Sequence, residues 1–312
     1  MRYFSFVYLF FLTTLFAQAQ TPADTVKWTK NGAITFNFSN VGLSDWAAGG
    51  QNAISIGGLV DLKAIRSTSK SLWQSNLNLA LGAAQIGKSS ENLFKKTDDQ
   101  FIASSIYAYK LNEKWSLGAG LELRTQLLAG YLYGRDAVGK EVKGQLISNF
   151  MTAGYINTNV FSVGYNNKYM AITLSPTFGK LTTVLNDSLA QAGAFGVKNG
   201  NKIRAEIGLN FNHKLDIKLA ENVNFKSSTN LFSGYDAFFI KRIDVNWETL
   251  LTLKVNKFIS TTFGTQMIYD QDILIKQADN STKLAVQFKH VLNVNFSYKF
   301  ENKKATPKVL QN

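Results

Sequence analysis

The sequence predicts an all-β chain, a transmembrane antiparallel β-barrel of about twelve strands, with roughly ten to fourteen as the bounds. Three observations predict it. The first is strand length. Leu284 to Phe300 alternates over 17 positions, with Leu284, Val286, Phe288, His290, Leu292, Val294, Phe296, Tyr298 and Phe300 on one face. Soluble proteins use strands of about 5–6 residues. The second is polarity. One face of each long segment is free of Lys, Arg, Asp and Glu while the other is polar, as a wall between lipid and water requires. The third is the rhythm of the connections, which alternate between short turns and long loops.

Taken in order, the chain begins with Met1-Arg2, an apolar run from Tyr3 to Phe16 and Ala17-Gln18-Ala19. That layout predicts a secretory signal over 1–19, since the apolar run is shorter than the roughly 20 residues a membrane helix needs. A barrel domain over 20–300 and a polar tail over 301–312 then follow. Predicted strands are Ala33–Asn40, Asn52–Ala64, Leu72–Gly87, Asp99–Lys110, Trp115–Leu128 and Met151–Tyr165, the last with weak alternation. Tyr169–Phe178, Lys202–Ile217, Val223–Tyr235, Arg242–Val255, Phe258–Asp270 and Leu284–Phe300 complete the set. Gly130–Gly144 reads as a polar loop, and Gly179–Asn201 as a long connection with a helical turn around Asn186–Ala192. An even strand count and a cleaved leader predict an outer-membrane location with both termini periplasmic. Trp73, Tyr109, Trp115, Tyr165, Phe225, Tyr298 and Phe300 fall near the short-turn ends. Phe101, Tyr235, Tyr269 and Phe288 fall near the long-loop ends, so the rings form two interfacial belts.

Composition narrows the functional classes. Cysteine is absent, which a closed hydrogen-bond ladder tolerates. The formal charge of +13 is spread along the chain, with a mean hydropathy of −0.08. Dispersed positive charge predicts contact with anionic lipid headgroups or small anionic solutes as partners. An exported chain without a basic recognition element is not a nucleic-acid binder. The barrel-assembly machinery is the expected folding partner. No cofactor or metal is expected. The two histidines, His213 and His290, lie on the lipid-facing parity of separate strands. Asp270-Gln271-Asp272 with Asp279 has oxygen ligands for calcium but lacks the full spacing, so it reads as a solvated acidic turn. Gly118-Ala119-Gly120 lies inside a strand and opens no helix, so it relieves crowding and holds no nucleotide.

The candidate site is lumenal. Glu122 and Arg124, Arg204 and Glu206, and Arg242 and Asp244 are each two apart, so each pair shares an inner face, with Glu248 further along. Such a charged cluster either sets the selectivity of a pore or fills and stiffens the barrel. Trp46 with Gly49 and Gly50 reads as a loop anchor. The function predicted is a narrow passive channel or small-solute transporter. A plugged structural or interaction barrel is the alternative, a membrane-embedded hydrolase comes third, and the chain reads as no enzyme.

A resemblance supports the architecture. Asp45-Trp46-Ala47-Ala48-Gly49-Gly50-Gln51-Asn52, Ile147-Ser148-Asn149-Phe150, Leu174-Ser175-Pro176, Ile243-Asp244-Val245-Asn246-Trp247-Glu248-Thr249 and Ile268-Tyr269-Asp270 carry it. Together they resemble an uncharacterised family of Bacteroidetes-type outer-membrane barrel-like proteins. The resemblance implies a barrel and no established activity or catalytic residue. The last strand also resembles the C-terminal aromatic signal used in barrel assembly, here with Phe300 followed by the tail.

Overall fold

A computed structural model describes residues 28–41, 51–87, 91–235, 243–273, 275–276 and 282–301. The predicted signal at 1–19, the loop anchor Trp46, Gly49 and Gly50, Arg242, Asp279 and tail positions 302–312 lie outside the described residues. Twelve strands close a single wall. They are β1 (Thr29–Val41), β2 (Ala53–Ser67), β3 (Ser71–Ile86), β4 (Lys95–Lys110), β5 (Trp115–Thr125), β8 (Thr152–Asn166) and β9 (Met170–Val184). The wall continues with β10 (Ile203–Ala220), β11 (Val223–Gly234), β12 (Asp244–Lys254), β13 (Ile259–Tyr269) and β16 (Gln287–Glu301). Each pairs antiparallel with its chain neighbour in the wall, and β1 closes the ring against β16 through Asn31↔Glu301 to Asn37↔Asn295. Closure leaves no edge, the condition a sheet must meet in hydrocarbon.

The side chains face as the alternation predicts, and the reason is solvent on each side. Only seven apolar residues among those described are buried. The large ones instead line the outside: Phe36 is 62% exposed, Ile207 67% and Leu292 69%. A soluble protein would bury such rows; lipid covers them here, which makes this a transmembrane barrel. Several polar atoms that face out are satisfied within the wall. The indole N–H of Trp73 donates to Ser105 Oγ and that of Trp247 to Ser227 Oγ, both at 2.9 Å. Thr249 and Thr265 hydroxyls meet at 2.7 Å. Without water nearby, each unpaired donor would cost several kcal/mol, on the order of the figure for amides in hydrocarbon.

The two rims differ. At one, the strands join through short turns held by a repeated device. Asn112, Asn167 and Asn256 each accept two backbone N–H groups through Oδ1, closing the turns before Trp115, Met170 and Ile259. Rings gather here: Trp28 on Trp73 at 5.5 Å, Trp73 on Tyr107 at 6.5 Å and Trp115 on Tyr165 at 5.1 Å between centroids. The first and last wall strands begin and end at this rim. The other rim carries the long connections. The predicted polar loop at 130–144 holds a hairpin, β6 (Gly130–Arg135) and β7 (Glu141–Ser148), paired only with each other. Two further short strands, β14 (Ile275–Lys276) and β15 (Thr282–Lys283), pair in the β13–β16 connection. Between β9 and β10 lies α1 (Asp187–Gln191), capped by Asn186, whose side chain accepts from Leu189 N–H at 3.2 Å. Val184, Leu189, Ala190 and Val197 bury together beneath it.

Candidate functional site: the lumen

At the loop end, Lys180 is the hub. Its Nζ lies 2.7 Å from Asp244, 3.7 Å from Asp270 and 3.9 Å from Glu206, and it sits over the Phe232 ring at 5.2 Å. With Lys180 itself on β9 and Phe232 on β11, the carboxylates come from β10, β12 and the end of β13, so one side chain ties five neighbouring strands of the twelve together. Arg204 extends the network: Nη2 meets Glu206 at 3.0 Å, Nη1 meets Asp272 at 3.0 Å and donates to the Gly196 carbonyl at 3.1 Å. The β9–β10 connection is thereby strapped over the mouth. Low exposure, 12% for Lys180 and Glu206 and 11% for Asp270, keeps these attractions from full screening by water.

Of the residues expected here, Arg204, Glu206 and Asp244 fall in this network. Arg204 pairs with Glu206, while Asp244 takes Lys180. Glu122 and Arg124 share the inner face without bonding to each other. Glu122 accepts from the Asn157 amide at 3.2 Å, and the Nε of Arg124 is buried without a partner. Glu248 lies lower, where the Gln266 amide donates to it at 3.0 Å. Asp270 and Asp272 correct the sequence reading. They are ion-pair partners of Lys180 and Arg204, not a solvated turn.

The alternation ends the seventh strand at Phe178 and so places Lys180 in a loop. The strand runs on to Val184. A bulge explains the discrepancy. β10 advances two residues from Gly208 to Asn210 while β9 goes back three, from Phe178 to Ser175. The extra residue at Pro176–Thr177 inverts the phase, so Ser175 and then Phe178, Lys180 and Thr182 point inward. β8 bulges at the same level, with Asn159 and Ser162 opposing Gly120 and Gly118. That bulge is the cause of its weak alternation, and Val160 and Phe161 both emerge on the outside. Gly118 leaves room for the hydroxyl of Ser162, which donates to its carbonyl at 3.1 Å.

Two further ties close this end. Lys96 meets Asp99 at 2.8 Å and the Gln126 side chain at 2.8 Å, while the Asp99 carboxylate accepts from Leu127 and Leu128 N–H. Lys289 on β16 meets Asp98 on β4 at 3.7 Å. Three strands separate these in the wall, so the pair crosses the lumen as a bar. Both residues are about half exposed, so this contact is weak on its own.

Below, a cavity of about 760 Å³ occupies the lumen and reaches the turn rim at Asn167 and Lys168. Its wall comes from β2, β4, β9 to β13 and β16, and it includes Lys63, Lys214, Lys226, Glu248 and Gln266. Lysines outnumber carboxylates around this cavity, while carboxylates outnumber cations in the Lys180 network.

Residues 38–131 match the model of DUF3078, described as a protein of unknown function. The DUF3078 match runs from β1 into β6. It takes in the early Trp-Gly-Gly motif and stops short of the late Asp-x-x-Trp-Glu motif, in which Asp244 and Glu248 face the lumen and Trp247 faces out. No curated protein matches the chain. Among solved structures, an outer membrane channel from Pseudomonas putida F1 is similar over 90% of this chain and 99% of its own, at 12% identity and a TM-score of 0.40. The outer membrane phospholipase dimer of Salmonella typhi with bound calcium is similar over 86% and 90%, at 9% identity and a TM-score of 0.35. The translocator domain of the autotransporter NalP from Neisseria meningitidis is similar over 95% of both chains, at 8% identity and a TM-score of 0.32. The likeness is one of architecture.

Proposed function

We propose that this barrel sits in the outer membrane and gives small polar solutes a narrow path through its lumen, with the Lys180 network as the constriction. The observation that carries this reading is the cavity of about 760 Å³, edged by charged and amide side chains, inside a wall whose outside is apolar. Water-filled lumens of this kind conduct when their charged rings leave a path. The short turns and both ends of the wall face the periplasm in this reading, and the long connections face outward. Lys257 over Phe258, at the turn rim, suits anionic headgroups. The barrel-assembly machinery is the partner expected for insertion.

A second reading, a plugged barrel with a structural or interaction role, is favoured by the bar between Asp98 and Lys289 and by the strap at Arg204. A hydrolytic reading gains no support. His213 on β10 and His290 on β16 have β11, β12 and β13 between them. Planar-bilayer recording separates the first two. The channel reading expects small ohmic steps that grow in Lys180→Met, where the network is cut. Silence from both folded proteins under either polarity leaves the plugged barrel.

A further inference from the structure

The turn-end half of the lumen has a feature that a plain water path does not require. Lys63 on β2 and Lys214 on β10 line the same cavity. In the closed ring β2 and β10 are diametrically opposite, with five strands between them either way. Lys226, on β11, adds a third ammonium, and Lys63 lies within electrostatic reach of both others. The carboxylates of the cavity are already engaged. Asp216 holds Lys226 at 3.1 Å and accepts from the Asn224 amide at 3.0 Å, Glu248 accepts from the Gln266 and Asn246 amides, and Asp98 meets Lys289 at 3.7 Å; beside the cavity, Asp61 is hydrogen-bonded by Asn78. Lys63 and Lys214 have no ion-pair or hydrogen-bond partner among the described residues. Like charges facing each other across a confined space repel, and an anion between them removes that cost.

The wall beside them is shaped for more than an ion. Leu250, Gly264 and Val291 are register partners across β12, β13 and β16, and they form a short apolar strip on the inner face. A Cβ at Gly264 would meet nothing nearer than Leu250 Cδ1 at 3.7 Å, so the glycine leaves a shallow recess. The volume falls in the range of pockets for small organic ligands, roughly 300–1,000 Å³. We propose that this chamber binds a small organic anion, its charged groups held between Lys63 and Lys214 and its apolar body against Leu250, Gly264 and Val291. The proposal rests on the lumen being reachable by solutes and names the class of solute, a carboxylate or phosphate on a compact apolar body.

Isothermal titration of the refolded full chain in detergent micelles tests it without requiring current. The probes are adipate, pyrophosphate, 1,6-hexanediol and 1,6-diaminohexane. Adipate is expected to bind tightest and pyrophosphate more weakly, with the diol and the diamine silent. Lys63→Gln and Lys214→Gln should each weaken adipate about tenfold, the value of one charge-assisted hydrogen bond. Gly264→Val should weaken adipate and spare pyrophosphate. Lys140→Gln, in the β6–β7 turn, should change nothing. Heat-modifiable migration on gels verifies that each variant is folded. Absence of saturable anion binding, equal binding of the diol or diamine, or unchanged affinity in both lysine variants overturns the proposal. Binding without bilayer current would keep the site and remove the channel; current without binding would do the reverse.

Discussion

The two halves of the lumen use the same residue types to opposite ends. In the Lys180 network at the loop end two cations, Lys180 and Arg204, face four carboxylates, Glu206, Asp244, Asp270 and Asp272, and every one of these groups is within ion-pair range of another. The cavity that reaches the turn end is lined instead by five lysines, Lys63, Lys168, Lys214, Lys226 and Lys289, against three carboxylates, Asp98, Asp216 and Glu248, and it is roomy. The difference teaches what charge does in a confined polar space. Where opposite signs meet at contact distance they fix strands and strap a loop. Where one sign is left over they hold open a place for a mobile counter-charge.

The sharpest way to break that contrast is to delete one lysine from each half. Lys180→Met leaves Glu206, Asp244 and Asp270 facing one another without their shared cation, and such a loss from a buried network costs about 3–5 kcal/mol. Lys63→Met removes repulsion instead, so its effect should lie within about 0.5 kcal/mol of zero, as for an unengaged side chain. Urea unfolding of both variants in lipid vesicles measures the difference. Equal losses would mean that the two halves are not distinct.

The wall is common to both halves, and the next test asks whether lipid is indeed its outer solvent. Leu121 points outward six residues along β5 from Trp115, near mid-height, and is 53% exposed. Leu121→Arg should cost about 2–4 kcal/mol in a bilayer. Ser104→Arg, whose side chain points inward beside Glu122, should cost far less. A reversed order would place oil inside and water outside, and would remove the membrane reading.

How much of this the sequence discloses follows from the same division between wall and lumen. The wall is legible because one rule, alternation under two solvents, repeats in every strand. Gln287 to Glu301 and Trp115 to Thr125 follow it without a break, although the alternation reaches back to Leu284 and the strand starts only at Gln287, and the strand count of twelve comes from it. The rule fails where the chain adds a residue. Pro176–Thr177 shift the phase of β9 and hide Lys180, the residue on which the loop-end network turns. Val160 and Phe161 do the same in β8. The lumen is less legible for a second reason. Lys180 meets Asp244 from 64 positions away, and Lys289 meets Asp98 across the ring, so no spacing within a strand announces either pair. Neighbours two apart promise only a shared face: Arg204 and Glu206 do bond, while Glu122 and Arg124 do not. The β6–β7 hairpin escapes for a third reason. It belongs to no wall and therefore shows no lipid-facing row.

That hairpin supplies the smallest expected effect, confined to the loop rim. Glu141 is buried at its root, where its carboxylate meets Lys95 Nζ at 2.5 Å and accepts from Leu93 N–H at 3.0 Å. Its own N–H donates to the Glu91 carbonyl at 2.7 Å. The Lys95 ammonium and the Leu93 N–H hold this carboxyl below the usual glutamate range. A depressed folded-state value means that the contribution is fully present above the ordinary value, near 4.3, and is lost as pH falls through the lower one. Hydrogen exchange should therefore find 130–148 protected at neutral pH and progressively opened below about pH 4, with β1 to β4 unchanged. Glu141→Gln should give the opened pattern at all pH values, because the amide retains an acceptor for Leu93 but loses the charge that draws Lys95. Acid-induced opening that persists unchanged in Glu141→Gln would assign it to another carboxylate. Opening that spreads into the wall would mean that the rim and the barrel share one cooperative unit, and the separation between strapped loop end and open turn end would not survive it.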